Sequence, residues 1–575
     1  MTDLTVTSVP SRSVQFDSAE MTARVKRRYR SERRFKALGG GALLLTAVFV
    51  LAVLLDIAFK GLPAFTQHYL VLDVPVKAEI VDPKGARNPD DLRSADYFAV
   101  MREALTAAVP GIEGRVAKKK LTGLLSSGAG NDLRDRIAAD PSLIGTTVKV
   151  PLLLSDGADL YLKGQQTAVS TIPGRGTATP SDTKGDITIL ASANDFADDL
   201  VAVKKTLAAR IEDLQVRLQR AEARGESQAS EAASLKEEIV ALAARVDQPA
   251  VAENLDEKMP SLLVSINGGL VKLNTISNDS ATGTVILPLN TIDEARPLDW
   301  SVVTYAKPES NRKTSDIEVA YLEKLKADGN VESRFNTIFF THGDSREAEQ
   351  AGILGSLVGS VLMLIVTLSL ALPFGVLAAV YLEEFAPKNK FTNLIEININ
   401  NLAAVPSIVF GLLGLAVFLN FFGLPRSAPL VGGLVLALMV LPTIIIAARA
   451  SMKAVPPSIK EAALGVGASH QQAIFHHVLP LATPGIMTGT IIGMAHALGE
   501  TAPLLMIGML AFIVDVPQGL TDPATALPAQ IYIWSDLPEQ AFEAKTAAAI
   551  MVLLGVLLLM NGMAIWLRSK FERRW

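Results

Sequence analysis

Two ionisable side chains stand close together in an otherwise apolar stretch near the carboxyl end of the chain. His496 and Glu500 are four residues apart, so on a helix they share one face. A carboxylate that faces lipid costs about 3 kcal/mol, so Glu500 is predicted to be neutral, paired or turned toward a polar cavity. A protonated imidazole beside it could face a passing anion while the pair stays balanced. The alternative is a hydrogen bond that only fixes the helix.

A short loop between two apolar stretches carries a second pattern. Its residues at fixed spacing are Glu461, Ala462, Ala463, Gly467, Leu479 and Pro480. A short helix with small residues beside a charge, ended by a glycine, forms a knob that the backbone of another protein can approach closely. The pattern predicts a docking helix within a loop at 449–480, and not a catalytic site. An ordinary amphipathic connector between two spans is the alternative.

The composition of the chain is that of a membrane protein. Of its 575 residues, 49% are hydrophobic and 19% are charged, which is less charge than a soluble surface usually requires. Stretches long and apolar enough to cross a bilayer lie at about 37–58, 351–382, 394–420, 429–448, 481–512 and 546–567. The predicted fold class is therefore an α-helical integral membrane protein with six transmembrane helices, five of them in a core at 347–575.

Basic residues predict the orientation of these spans. They crowd the amino-terminal tail, 1–36, the carboxyl-terminal tail, and the short loops that contain Lys388, Arg449 and Lys460. Cytoplasmic segments carry an excess of Lys and Arg, so both termini and the loop at 449–480 are predicted to be cytoplasmic. The first span is predicted to be an uncleaved anchor, because its apolar run is too long for a signal peptide.

The segment 59–346 separates the first two spans and, by the same count, lies outside the cytoplasm. It is large enough to fold as a domain. Because the sequence contains no cysteine, no disulfide stabilises this domain, and its stability must come from its own core. Apolar residues at helical spacing predict an antiparallel helical hairpin at about 194–247, with residues 224–227 as its turn. Short β-branched runs predict strands of an α+β base at 186–190, 262–266, 270–273 and 284–289.

These motifs together resemble the PstA-type permease subunit of phosphate-specific ABC transporters. The resemblance rests on the loop pattern, with His477 where the family has Ile, and on the stretches 403–409 and 499–505. It covers about 347–575, with the first span as the opening helix of the family. The segment 59–346 looks like the extended amino-terminal region of some members.

The resemblance implies a type I ABC importer in the inner membrane, surrounded by lipid. The chain would form half of the pathway beside a second, PstC-type permease subunit. Two ATP-binding subunits would dock on the loop at 449–480, and an extracytoplasmic phosphate-binding protein would deliver the anion. The alternatives are the same fold carrying another oxyanion or solute, and a membrane-anchored sensor whose helical hairpin binds a partner.

The chain itself is predicted to be a transport subunit and not an enzyme. It has no Gly-x-x-x-x-Gly-Lys-Ser/Thr loop for a nucleotide, so ATP would be used by the partner ATPase. Its histidines include no His-Glu-x-x-His pair, and no nucleophile elbow is present. We therefore predict no bound cofactor, no metal and no nucleic-acid partner.

The resemblance also assigns residues to the translocation pathway, namely His496, Glu500, Thr501 and Arg449. The family usually has Arg at position 496 and often another near Ile446, which Arg449 follows by about one turn. Charge complementary to phosphate could thus come from Arg449, from protonated His496 or from the partner permease. Glu500 repels an anion, so its predicted role is to orient its neighbours or to accept a proton.

Overall fold

The computed structural model describes residues 19–223, 229–248 and 251–571. A first helix, α1 (Ala19–Gly61), leads into an inserted domain, and a helical core follows. Helices of the inserted domain are α2 (Ala78–Val81), α3 (Pro89–Ser94), α4 (Tyr97–Ala108), α5 (Arg115–Thr122), α6 (Asn131–Ala139), α7 (Asp156–Leu162), α8 (Ala197–Ala223), α9 (Ala229–Val246), α10 (Asp316–Ala327) and α11 (Thr337–Thr341). Its strands are β1 (Thr66–Pro75), β2 (Thr147–Leu153), β3 (Val169–Pro173), β4 (Ala178–Pro180), β5 (Asp186–Ala191), β6 (Glu253–Asn254), β7 (Ser261–Ile266), β8 (Gly269–Ile276), β9 (Ser280–Leu287), β10 (Ser301–Tyr305) and β11 (Val331–Phe335).

The core consists of helices alone. They are α12 (Leu354–Val380), α13 (Lys390–Ala403), α14 (Ser407–Leu413), α15 (Pro429–Lys453), α16 (Pro457–Gly465), α17 (His470–Ala473), α18 (Leu479–Gly499), α19 (Ala502–Met506), α20 (Leu527–Ser535) and α21 (Gln540–Phe571). Wider π-helical segments extend three of these elements, at Tyr381–Phe385, Gly414–Phe421 and Ile474–Val478.

Five helices within the described residues are long and apolar enough to cross a membrane. They lie in α1, α12, α15, α18 and α21, and the pair α13 and α14, bent by 105°, adds a sixth if it counts as one span. Helix α1 begins well before the predicted span at 37–58, because neither Pro nor Gly interrupts the basic stretch ahead of it.

The span predicted at 394–420 is broken in the structure. Helix α13 ends at Ala403, and α14 starts at Ser407 in a different direction. Pro406 stands in the break, where it lacks the N–H that a continuous helix needs and pushes the residue before it away from helical geometry.

The span predicted at 481–512 is also shorter than expected. Helix α18 ends at Gly499, because Pro503 cannot donate a hydrogen bond to the carbonyl of Gly499. Glu500 therefore follows the helix in an extended conformation, with φ −78° and ψ 127°, and does not lie within it.

Helix α15 packs closely between α12 and α18. Three glycines of α18 at four-residue spacing, Gly485, Gly489 and Gly493, face α15. The tightest contact is at Gly489, where an added Cβ would lie 2.1 Å from the Cβ of Ala447. Small residues let helix backbones approach in lipid, where packing and not the hydrophobic effect drives association. The glycines thus fix α15 and α18 as an antiparallel pair.

The two ends of the inserted domain lie side by side. Strand β1 follows α1 almost directly and pairs antiparallel with β11, from Thr66 opposite Phe335 to Leu70 opposite Val331. Strand β2 completes this three-stranded sheet on the other side of β1. The chain therefore leaves α1 and returns to the core at nearly the same place, so that a large domain fits between two neighbouring spans.

A second, eight-stranded sheet carries the helical hairpin. Its order is β3-β10-β7-β8-β9-β5-β4, with β6 paired to β8. Helices α8 and α9 run antiparallel, since Lys204 bonds near the end of α9 while Glu222 pairs with Lys236 near its start. The apolar side chains Leu207, Leu214, Leu235 and Leu242 are buried in one core with the sheet. The predicted turn at 224–227 lies outside the described residues.

Buried polar contacts join the inserted domain to the core. The Ser126 hydroxyl donates to the Glu349 carboxylate at 2.5 Å, and the Gln67 amide donates to the Glu349 carbonyl at 2.9 Å. Burial raises the pKa of the Glu349 carboxyl above its usual range. The buried Lys545 of α21 donates to the carbonyl of Ala351 nearby. Partnered polar groups of this kind specify one docking geometry, because each would cost free energy if unpaired.

Replacing Gly489 by Ala should destabilise the core. The added methyl cannot fit against Ala447 unless α15 and α18 separate, and overpacking of this kind costs about 1–3 kcal/mol. The measurement is denaturation of the purified chain in detergent. The matched control is Gly555→Ala in α21, because no described atom outside that helix comes within 4 Å of the site. Equal stability of the two variants would contradict the packing described above.

Candidate functional site

The loop between α15 and α18 forms the predicted knob. Pro457 stands in the first turn of α16, where a missing N–H costs nothing. At the other end, the Gly467 N–H donates to the Leu464 carbonyl and the Ala468 N–H donates to the Ala463 carbonyl. This is a Schellman motif, which requires a left-handed residue, and Gly467 has φ +92°.

The surface of the knob is partly apolar. Glu461 and Ala462 are exposed, whereas Ala463 is buried and anchors α16 to the core. Val466 is 87% exposed and Leu464 is 40% exposed. Sequence reasoning missed both because they lie between the motif positions. An exposed apolar group beside a charge is what a protein-docking surface presents.

The remaining motif residues, Leu479 and Pro480, lie at the start of α18. Leu479 is half-buried and Pro480 is exposed. Pro480 lies just after the π-helical segment Ile474–Val478, within a helical stretch that runs from His470 to Gly499. These two residues therefore lie within the last helical part of the motif, and the exposed residues of the motif lie mainly on α16.

Charged side chains cluster where this loop meets the core. Lys460 of α16 pairs with Glu384 at 2.5 Å. Arg449 of α15 pairs with Glu396 at 2.8 Å and with Glu383 at 3.3 Å. The sequence did not indicate the three carboxylates as partners, because they are 53 to 76 residues away from the cations that they contact.

His496 and Glu500 form a direct contact. The His496 Nε2 atom lies 2.7 Å from the Glu500 Oε1 atom. The His496 side chain is 59% exposed and that of Glu500 is 18% exposed, so the imidazole lies on the surface of the chain and the carboxylate beneath it. Thr501 follows as the N-cap residue of α19, and its carbonyl accepts from the N–H groups of Leu504 and Leu505. A polar break between two helices thus presents an imidazole at the surface.

The structure does not bring Arg449 together with this pair. In the antiparallel packing of α15 and α18, Gly485 faces Ser451 and Gly493 faces Val440. Arg449 is therefore level with Met487 of α18, and His496 lies further along α18 in the same direction. At 1.5 Å per residue, roughly 14 Å along the helices separates His496 from Arg449. Arg449 is 16% exposed and is balanced by two carboxylates. The four predicted pathway residues therefore fall into two separate places.

Within residues 19–223, 229–248 and 251–571, no group of three or more His, Asp or Glu side chains could hold a metal ion. The described residues thus present the knob of α16, with ion-paired side chains beneath it, at one end of the α15 and α18 pair. A histidine–carboxylate pair lies at the other end.

Comparison with known proteins shows the family. Residues 351–573 match the family described as binding-protein-dependent transport system inner membrane component. The probable ABC transporter permease protein YqgI of Bacillus subtilis is 31% identical over 259 residues, which cover 42% of this chain and 86% of that protein. The chain belongs to the binding-protein-dependent transport permease family. This permease is thus an ABC transporter subunit that spans the inner membrane several times.

Two further similarities concern the core of the permease. Phosphate transport system permease protein PstA 1 of Mycobacterium tuberculosis is 32% identical over 225 residues, 39% of this chain and 72% of that protein. A chain of the inward-facing MetNI methionine ABC transporter aligns with a TM-score of 0.29 and 17% identity, and covers 39% of this chain and 95% of that one. Residues 22–171 of the permease match DUF3333, a domain of unknown function.

Replacing Gly467 by Ala should loosen the end of α16. A left-handed conformation costs a residue with a Cβ about 1–2 kcal/mol, so the Schellman motif should open. Hydrogen–deuterium exchange of residues 462–468 measures this as faster exchange. Gly465→Ala is the matched control, because Gly465 ends the same helix without a positive φ. Unchanged exchange in the Gly467 variant would show that the turn does not depend on this conformation.

Proposed function

We propose that this permease is one of two pathway subunits in an ATP-driven phosphate importer. The observation that carries the proposal is the exposed knob of α16, in a core whose relatives include phosphate transport system permeases from two species of Mycobacterium and from Pasteurella multocida. A chain with an exposed docking helix and no nucleotide-binding loop needs an ATPase from another subunit. A sensor would have no use for such a helix.

The proposed complex contains a second, PstC-type permease subunit, two ATP-binding subunits and an extracytoplasmic phosphate-binding protein. A relative of the PstC kind, from Haemophilus influenzae, is 31% identical over 207 residues, in keeping with two related subunits around one pathway. The excess of basic residues in α1 and in the loop near α16 supports a cytoplasmic position for both termini and for the knob. The inserted domain then lies outside the cytoplasm, where it can meet the binding protein.

Alternating access follows from this arrangement. Closure of the ATPase dimer would displace α16, which is continuous through short turns with α15 and α18. These two helices are locked together by glycine packing, so they would tilt as one body between inward-open and outward-open states. His496 and Glu500, at the far end of α18, would then change their exposure to the pathway.

The first test of the proposal concerns docking. Val466→Ser should weaken binding of the ATP-binding subunits about tenfold, since burial of a valine contributes about 1.5 kcal/mol. Glu461→Ala should act in the same direction. Binding is measured by titrating the ATP-binding subunit onto the permease pair in nanodiscs. The control is Val240→Ser, because Val240 is 69% exposed in the hairpin of the inserted domain. Wild-type affinity of both loop variants would refute α16 as the dock.

The second test concerns the pathway. Glu500→Gln keeps the size of the side chain and removes its charge, so it should lower ATP-dependent phosphate uptake about tenfold by leaving His496 without its anionic partner. Uptake of labelled phosphate into proteoliposomes with the full complex is the measurement. Glu543→Gln is the control, since Glu543 is an exposed carboxylate of α21. If the Glu500 variant transports at the wild-type rate, the pair only fixes the helix end.

The second candidate function is import of another oxyanion by the same fold. The observation in its favour is His496, a titratable group where the phosphate-specific family usually has Arg, whose charge does not depend on pH. Uptake of labelled sulfate or molybdate is measured in the presence of excess phosphate. If phosphate does not inhibit this uptake, the substrate is the other oxyanion and not phosphate.

A further inference from the structure

Consecutive carboxylates at the end of α12 contact different elements. Glu383 and Glu384 lie in the π-helical segment Tyr381–Phe385, and wide turns of this kind occur often at functional sites. Glu384 pairs with Lys460 of α16, whereas Glu383 pairs with Arg449 of α15. One turn of α12 is thus tied both to the knob and to the neighbouring span.

The side chains of this cluster are partly withdrawn from water. Glu384 is 11% exposed and Glu383 is 18% exposed. Fully exposed ion pairs contribute little, but charge-assisted hydrogen bonds in a partly buried place are stronger. A buried carboxylate that loses its cation is also left with an uncompensated desolvation cost. The contact between Glu384 and Lys460 is therefore costly to break when α16 moves.

A second contact holds the same turn from the other helix of the loop. The His470 ring of α17 bonds through Nε2 to the Glu384 carbonyl oxygen at 3.0 Å, and it packs edge-to-face on Phe385 with ring centroids 5.0 Å apart. Both short helices of the loop are therefore attached to the end of α12. Arg449 extends the connection to α13 through Glu396.

From this geometry we propose that Glu384 and Lys460 are positioning residues for energy coupling. This inference rests on the proposed function and names the contacts through which motion of α16 reaches the membrane helices. A displacement of α16 by the ATPase is carried through the ion pair to the end of α12, and the Arg449 pairs carry it on to α13 and α15. Without the ion pair, α16 can follow the ATPase while α12 stays behind, so that hydrolysis proceeds without transport.

Charge reversal and charge exchange test this path. Lys460→Glu and Glu384→Lys are each expected to lower the phosphate imported per ATP hydrolysed about tenfold, the scale of one charge-assisted hydrogen bond. The double variant with both substitutions restores the ion pair with the positions of the two charges exchanged. It should return to within about twofold of wild type, because a double-mutant cycle isolates the pairwise energy. The His470 bond to the Glu384 backbone does not depend on either side chain.

Lys388→Glu is the matched control, since it reverses an exposed charge four residues after Glu384, in the connection to α13, and should leave coupling unchanged. Uptake, hydrolysis and retention of the ATP-binding subunits are measured on the same proteoliposomes. If the wild-type complex shows no ATP-dependent phosphate uptake, the proposed function fails. If the wild type transports and both single variants remain coupled, or if the exchanged pair does not recover, the inference is overturned.

Discussion

Close contact between α15 and its two neighbouring helices is the interaction on which the rest of the structure depends. Lipid offers no hydrophobic driving force between helices, so the core is held by packing that glycine makes possible. Gly485, Gly489 and Gly493 bring α18 onto α15, and Gly375 of α12 packs on Ile444 of α15 in the same way. This packing places α16 at one end of a rigid pair and the break at Glu500 at the other.

The antiparallel pair separates two kinds of chemistry. At the end with α16, cations and carboxylates neutralise one another in a partly buried cluster, which suits mechanical contact with a protein partner. At the other end, about 25 Å along α18 at 1.5 Å per residue, the His496 imidazole is exposed above a single carboxylate. Arg449 belongs to the first end, because its guanidinium is held by Glu383 and Glu396. Of the two proposed pathway cations, only His496 is therefore exposed without a surrounding pair of carboxylates.

The inserted domain leaves this core undisturbed because of how its ends are joined. Pairing of β1 with β11 brings the entering and leaving chain together beside α1 and α12. Buried contacts from Gln67 and Ser126 to Glu349 then fix the domain on the core. The eight-stranded sheet and the α8 and α9 hairpin stand beyond this junction.

Local patterns in the sequence determined the apolar spans, the glycine-ended knob and the two helices with leucine at helical spacing, because each depends on residues a few positions apart. Proline placement also determined the breaks at Pro406 and before Pro503, although each stretch was predicted as one span of membrane length. Only the tertiary structure decided which charges meet. Glu384 and Lys460 are 76 residues apart, and Arg449 and Glu396 are 53 apart, so no local spacing relates them. Their contacts exist because glycine packing sets the positions of the helix ends, and that depends on every span at once.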